Sequence, residues 1–120
     1  MKKTIFIGFA ILSLLALSAC TSQNNVLNTP PLVIEITDTE FIPAKITIKK
    51  GQQVDFVNKS TAERWPASNI HPTHDIYPEF DPQKALAPGE TWSFVFNKEG
   101  IWRSHDHINP EIKGVITVEN

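Results

Sequence analysis

In short segments from Leu32 onward, apolar residues recur at every second position, and nowhere in the chain beyond it at a sustained spacing of three and four. A period of two belongs to a strand with one buried face, whereas an amphipathic helix needs a period near 3.6. Leu32–Thr37 (LVIEIT) is rich in β-branched residues, and Lys45–Lys49 (KITIK) places Ile46 and Ile48 on one face. Gln53–Asn58 does the same with Val54 and Phe56, and Thr91–Asn97 with Trp92, Phe94 and Phe96. Ile101–His105 and Gly114–Glu119 complete the set, with Lys50-Gly51-Gln52 and Glu99-Gly100 as turns. Short strands at intervals of about a dozen residues, punctuated by Gly and Pro, predict an all-β sandwich or barrel. Ser60–Pro88 stands apart. It holds five of the nine prolines and no clean strand, yet it carries Trp65, Tyr77 and Phe80. A loop this long in a small domain points to function, and its aromatic residues point to an ordered loop.

The other end of the chain predicts where the protein resides. Met1-Lys2-Lys3 precedes an apolar run from Thr4 to Leu17. That run is shorter than the ~20 residues a membrane-spanning helix needs, and it matches a secretory signal peptide over residues 1–19. Leu17-Ser18-Ala19-Cys20 then resembles the lipobox of bacterial lipoproteins, in which the cysteine receives a diacylglyceryl group. Cys20 is thus the expected lipid attachment site. As the only cysteine, it cannot form an internal disulfide. Residues 20–31 are polar, end in two prolines, and read as a tether. Residues 32–120 are the expected folded domain. Cleavage takes Lys2 and Lys3 and no acid from a formal charge of −2, leaving −4. A mildly acidic protein lacks the basic face that nucleic-acid binding requires. The expected partner of this end of the chain is a membrane, reached through the lipid. The expected location is the bacterial cell envelope, on its periplasmic or extracytoplasmic side.

Several segments together resemble a cupredoxin-like domain. They are Phe41-Ile42-Pro43-Ala44 before a strand, Ile46–Gln52, Val54–Asn58, Leu86-Ala87-Pro88-Gly89-Glu90, Gly100-Ile101-Trp102, and Lys113–Val118 at the close. The resemblance implies a Greek-key β-sandwich of the plastocyanin type with a copper site at one end. The chain departs from the family at the ligands. A blue-copper site uses two His, a Cys and a weak axial Met. The stretch after Asn58, where the family places its first His, has none as far as Trp65. Counted from Gly100 and Gly114, the positions of the Cys, second His and Met hold Asp106, Asn109 and Ile112. A blue-copper centre is excluded.

The four histidines fall in two pairs instead. His71-Pro72-Thr73-His74 lies in the long loop, and His105-Asp106-His107 lies where the family's ligand loop belongs. In extended backbone, residues i and i+2 point the same way, so His105 and His107 can meet at one ion and His71 and His74 can close over it. The segment from Gly100 to Gly114 is short and held by strands at both ends. His105 and His107 are therefore the expected core of the site, with the other pair as an arm in the long loop that completes it. Imidazole suits Cu(II), Zn and Ni, and the affinity order favours copper. Three or four imidazoles with no thiolate describe a type 2 copper centre or a tetrahedral zinc site. Asp75, Glu79, Asp81 and Asp106 could ligate or orient a ring, although Glu79 and Asp81 flank a proline turn and read as solvated. No Ser-His-Asp set, phosphate loop or CxxC pair is present. The expected function is copper binding, handling or redox at the envelope. The alternatives are a copper-dependent redox enzyme acting on a small oxidant such as superoxide, and a metal-free interaction domain.

Overall fold

A computed structural model describes residues 30–120. The expected signal peptide, Cys20 and nearly all of the expected tether lie outside the described residues. Eight strands follow the alternating segments: β1 (Leu32–Ile36), β2 (Phe41–Ile42), β3 (Lys45–Lys49), β4 (Gln53–Asn58), β5 (Pro66–Ser68), β6 (Thr91–Val95), β7 (Gly100–Asp106) and β8 (Lys113–Glu119). They form two four-stranded sheets, β2-β1-β4-β6 and β3-β8-β7-β5. β1 runs parallel to β4 and β3 parallel to β8, and every other pair is antiparallel. The chain changes sheet between β2 and β3, and again at each step from β3 to β7. The product is the expected Greek-key sandwich.

The core lies where the alternation puts it. Val54 and Phe56 of β4 face Ile34 and Ile36 of β1 within one cluster, and Ile48, Ile116 and Val118 meet them from the other sheet. Trp92 and Phe94 pack against this cluster partly buried, and Phe96, one residue past the end of β6, is fully buried. Gly114 permits a close approach between elements. A Cβ there would lie 2.8 Å from a ring carbon of Phe41 and 3.0 Å from Ser104 Oγ.

The long loop holds more structure than its prolines suggest. Pro66–Ser68 forms β5 at the edge of its sheet, pairing with β7, and Arg64 bridges to Leu86. Pro66 fits this place because an edge strand tolerates a missing donor. Beyond β5 the loop sends Tyr77 and Phe80 into the core. The Phe80 ring lies within 5.9 Å of the rings of Phe56, Trp92, Phe94 and Phe96. Burying a side chain of this size contributes about 1.5–3 kcal/mol, and it clamps the segment that carries His71 and His74. The expectation of a loop without a strand is corrected here. The segment is an ordered cover bound to the core at its far end and to β7 at its near end.

Candidate metal centre

β4 and β7 finish at the same end of the sandwich. Asn58, the last residue of β4, is fully buried and donates through Nδ2 to the carbonyls of Ala62 and Leu86, both at 2.8 Å. Its Oδ1 accepts from the N–H and hydroxyl of Ser60. These bonds shape the turn that leads to Arg64 and β5. At the end of β7, Asp106 is also fully buried. One of its carboxylate oxygens accepts the Trp65 N–H at 2.8 Å, and the other accepts Arg64 Nη1 at 3.3 Å. Asp106 occupies the position where the family resemblance places a thiolate ligand, but here its carboxylate is taken up by Arg64 and the Trp65 backbone.

Strand alternation decides the face on which the histidines emerge. On β7, Trp102 packs against the core and Ser104 meets Gly114 between the sheets. Ile101, Arg103 and His105 therefore lie on the opposite face. Ile101 and Arg103 are exposed there, yet His105 is only 2% exposed because the 69–81 segment covers it. Asn69 fixes the near end of that cover by donating its N–H to the Arg103 carbonyl at 2.9 Å. His74 reaches the site from a backbone with φ of 55°, a left-handed conformation uncommon for a residue other than glycine, and its N–H donates to the Ile70 carbonyl at 2.7 Å.

All four predicted histidines come together. One ring nitrogen from each of His71, His74, His105 and His107 lies within 4.8 Å of the others. His71 Nδ1 is 3.2 Å from His105 Nε2, and His107 Nδ1 is 2.9 Å from His74 Nε2. At a metal–nitrogen distance of about 2.0–2.1 Å, adjacent ligands lie about 2.8 Å apart in a square plane and about 3.4 Å apart in a tetrahedron. Both observed separations fall in that range. In the absence of an ion, the same contacts are N–H···N hydrogen bonds donated by His71 and His107.

The far sides of two rings are fixed as well. His74 Nδ1 lies 2.7 Å from Asp81 Oδ2, and His105 Nδ1 lies 3.0 Å from Asn69 Oδ1. Assigned from these partners, each ring carries its proton on Nδ1 and turns the Nε2 lone pair inward. Asp81, expected to be solvated, is instead held on three sides: its Oδ1 accepts from the Trp65 indole and the Gln83 N–H, both at 2.7 Å. Burial works to raise the Asp81 pKa, but the hydrogen bonds from His74, Gln83 and Trp65 outweigh it and hold the carboxyl below its usual range. Burial pushes His105 down to about 4, with the neighbouring rings of His74, His71 and His107 adding to the effect. His107 is lowered by burial first and then by His74 and His71. These two rings are thus neutral at neutral pH, the form in which imidazole ligates.

The other carboxylates lie outside the cluster. Glu79 pairs with Lys98 at 2.9 Å, and Asp75 is exposed, with one oxygen 3.4 Å from the Ile70 N–H. The division of labour among the histidines differs from the sequence expectation. The two buried members, each with a fixed proton, are His74 and His105, one from each sequence pair. His71 is exposed and His107 half-buried. Asn69 and Trp65 were missed as parts of the site. Trp65 lies with its ring centroid 4.8 Å from that of His107, and no metal-binding pattern in the sequence marks either residue.

Among solved structures, the fold resembles those of three proteins. A Cu-containing nitrite reductase from Thermus scotoductus SA-01 superposes with a TM-score of 0.62 at 22% identity, over 75% of this chain. The chain spans only 22% of that enzyme's length. A purple cupredoxin from Nitrosopumilus maritimus gives 0.64 at 21% identity, covering 73% of this chain and 99% of its own. A reduced amicyanin variant gives 0.64 at 17%, covering 74% and 82%. No curated protein sequence matches the chain. The sequence profile of the Cupredoxin-like domain family matches residues 9–118. With that match spanning most of the chain, and with a Greek-key sandwich of the same architecture, this protein belongs to the cupredoxin-like domain family.

Proposed function

We propose that this protein is an envelope-anchored copper-binding protein, acting in copper binding, handling or redox, whose ion is held by His71, His74, His105 and His107 without a thiolate. The observation that carries this reading is the convergence of four imidazole nitrogens within 4.8 Å at one end of a cupredoxin fold. Two of their separations, 3.2 and 2.9 Å, suit the edges of a coordination polyhedron, and Asp81 and Asn69 set the protons of the two inner rings before any ion arrives. Copper is favoured over zinc by the affinity order of nitrogen sites, and the structural neighbours include a Cu-containing enzyme and a purple cupredoxin. Bound copper would supply a one-electron couple in a nitrogen-only ligand field. The chain's own residues supply the rest. His74 and His105 present lone pairs from the buried side, Asp81 and Asn69 hold their rings in place, and Trp65 covers His107. Attachment to the envelope is supported by the Met1–Cys20 pattern, a signal peptide ending in a lipobox-like Leu-Ser-Ala-Cys.

The exposure of His71 favours one second reading, a copper-dependent redox enzyme acting on a small oxidant that reaches the ion from that side. The test common to both is Cu(II) titration of the purified full chain, followed by visible and electron paramagnetic resonance spectra. One ion per chain, nitrogen hyperfine structure and no intense thiolate charge-transfer band are expected. A deep blue protein, or none of the metal retained, contradicts the proposal.

A further inference from the structure

The four histidines are not equivalent in what holds them, and this deepens the copper reading on which it rests. His74 is buried and its Nδ1 is bound to Asp81. His105 is buried and its Nδ1 is bound to Asn69. His107 donates its backbone N–H to the Trp65 carbonyl at 2.7 Å, and its ring lies beside the Trp65 indole at 4.8 Å and 42°. Trp65 is itself fixed, through its indole to Asp81 and through its N–H to Asp106. His71 has no such support. It is exposed, and among the described residues its ring pairs with the rings of His105 and His107 and its one side-chain hydrogen bond is the contact with His105 Nε2 inside the cluster.

From this asymmetry we propose that the centre is built of three fixed imidazoles and one replaceable imidazole, His71, and that external donors enter the copper coordination by displacing it. The physical reason lies in what each departure exposes. Releasing His74 or His105 would leave a buried, hydrogen-bonded ring stranded away from water, a costly state. Releasing His71 lets an already exposed side chain swing into solvent and gain rotational freedom. The donors that fit the vacated position are small nitrogen bases and small anions, because the other three rings stay in place around it: His105 bound to Asn69, His74 bound to Asp81, and His107 beside Trp65. The same position would be the point of entry for a ligating side chain of a protein that takes the ion.

Copper titration and paramagnetic resonance of four full-length proteins test this: wild type, His71→Ala, His74→Ala and His105→Ala. His71→Ala should keep measurable copper binding with an altered spectrum, and added imidazole should restore the wild-type spectrum. His74→Ala and His105→Ala should lose measurable binding and not regain it with imidazole. Azide added to the wild type should change the spectrum while copper stays bound, a readout independent of whether any variant folds. If His71→Ala loses copper as completely as His105→Ala, or if azide leaves the wild-type spectrum unchanged, the proposal falls while the copper site stands. Wild-type protein that takes up no Cu(II) overturns both.

Discussion

Replacing Asp81 by Asn removes one defined interaction from the site and leaves the rest in place. The carboxylate serves three donors, all at 2.7 Å: His74 Nδ1 on Oδ2, and the Trp65 indole and Gln83 N–H on Oδ1. An Asn can keep an oxygen toward Trp65 and Gln83, but it turns an N–H₂ group toward His74. The His74 proton then loses its acceptor at Nδ1 and is better placed on Nε2, the nitrogen that faces the other rings. Losing an outer-shell carboxylate of this kind weakens metal binding about 10–100-fold, which corresponds to about 1.4–2.7 kcal/mol. Competition titration against a Cu(II) chelator reads the affinity directly, and circular dichroism confirms that the sandwich is retained. Affinity equal to wild type in a folded Asp81→Asn protein would refute the assignment of His74 Nε2 as a ligand and of Asp81 as its support.

Phe80→Ala should destabilise the fold by about 3–5 kcal/mol in denaturant unfolding and weaken copper binding together with it, since Phe80 holds the histidine-bearing segment to the core; a large stability loss with unchanged affinity would detach the two. The metal-free protein should lose stability as pH falls from about 6.5 to about 4. Across that window the unfolded chain binds a proton at position 105 that the folded His105 refuses, so stability rises with pH. The depressed Asp81 carboxyl acts in a separate window, its contribution being lost only below its usual pKa of 3.8. A denaturation midpoint that stays flat between pH 6.5 and 4 contradicts the burial argument for His105. Cys20→Ser should abolish acylation and membrane association, because the acyl chains supply the membrane affinity; a processed variant still found in the membrane fraction sinks the anchor.

Most of the sandwich was legible in the sequence, because period-two alternation is a local property. Val54 and Phe56, or Trp92, Phe94 and Phe96, declare a buried face without reference to the rest of the chain. β5 was not legible: three residues beginning with proline carry no period, and only pairing with β7 makes them a strand. The four ligand candidates were legible by residue type and spacing, and their convergence follows from the fold. Their hierarchy was not. His74 is buried because Tyr77 and Phe80 dock downstream of it and because its own backbone adopts a left-handed φ, both consequences of tertiary packing. Asp81 looked like a solvated neighbour of a proline turn, and only the folded segment brings it to His74 across seven residues. Family spacing placed the ligand position of β7 at Asp106. The histidines of the cluster are instead the residues on either side, His105 on the opposite face of β7 and His107 just past its end.

The central claim is that one copper ion sits among His71, His74, His105 and His107. Its most direct test is anomalous diffraction at the copper edge from crystals of the protein grown or soaked with Cu(II). The account predicts a single strong peak between the Nε2 atoms of His74 and His105 and the Nδ1 atom of His107, at about 2.0–2.1 Å from each. A peak between the sheets beside Asp106 and Ile112, or no peak within reach of these histidines, would contradict it.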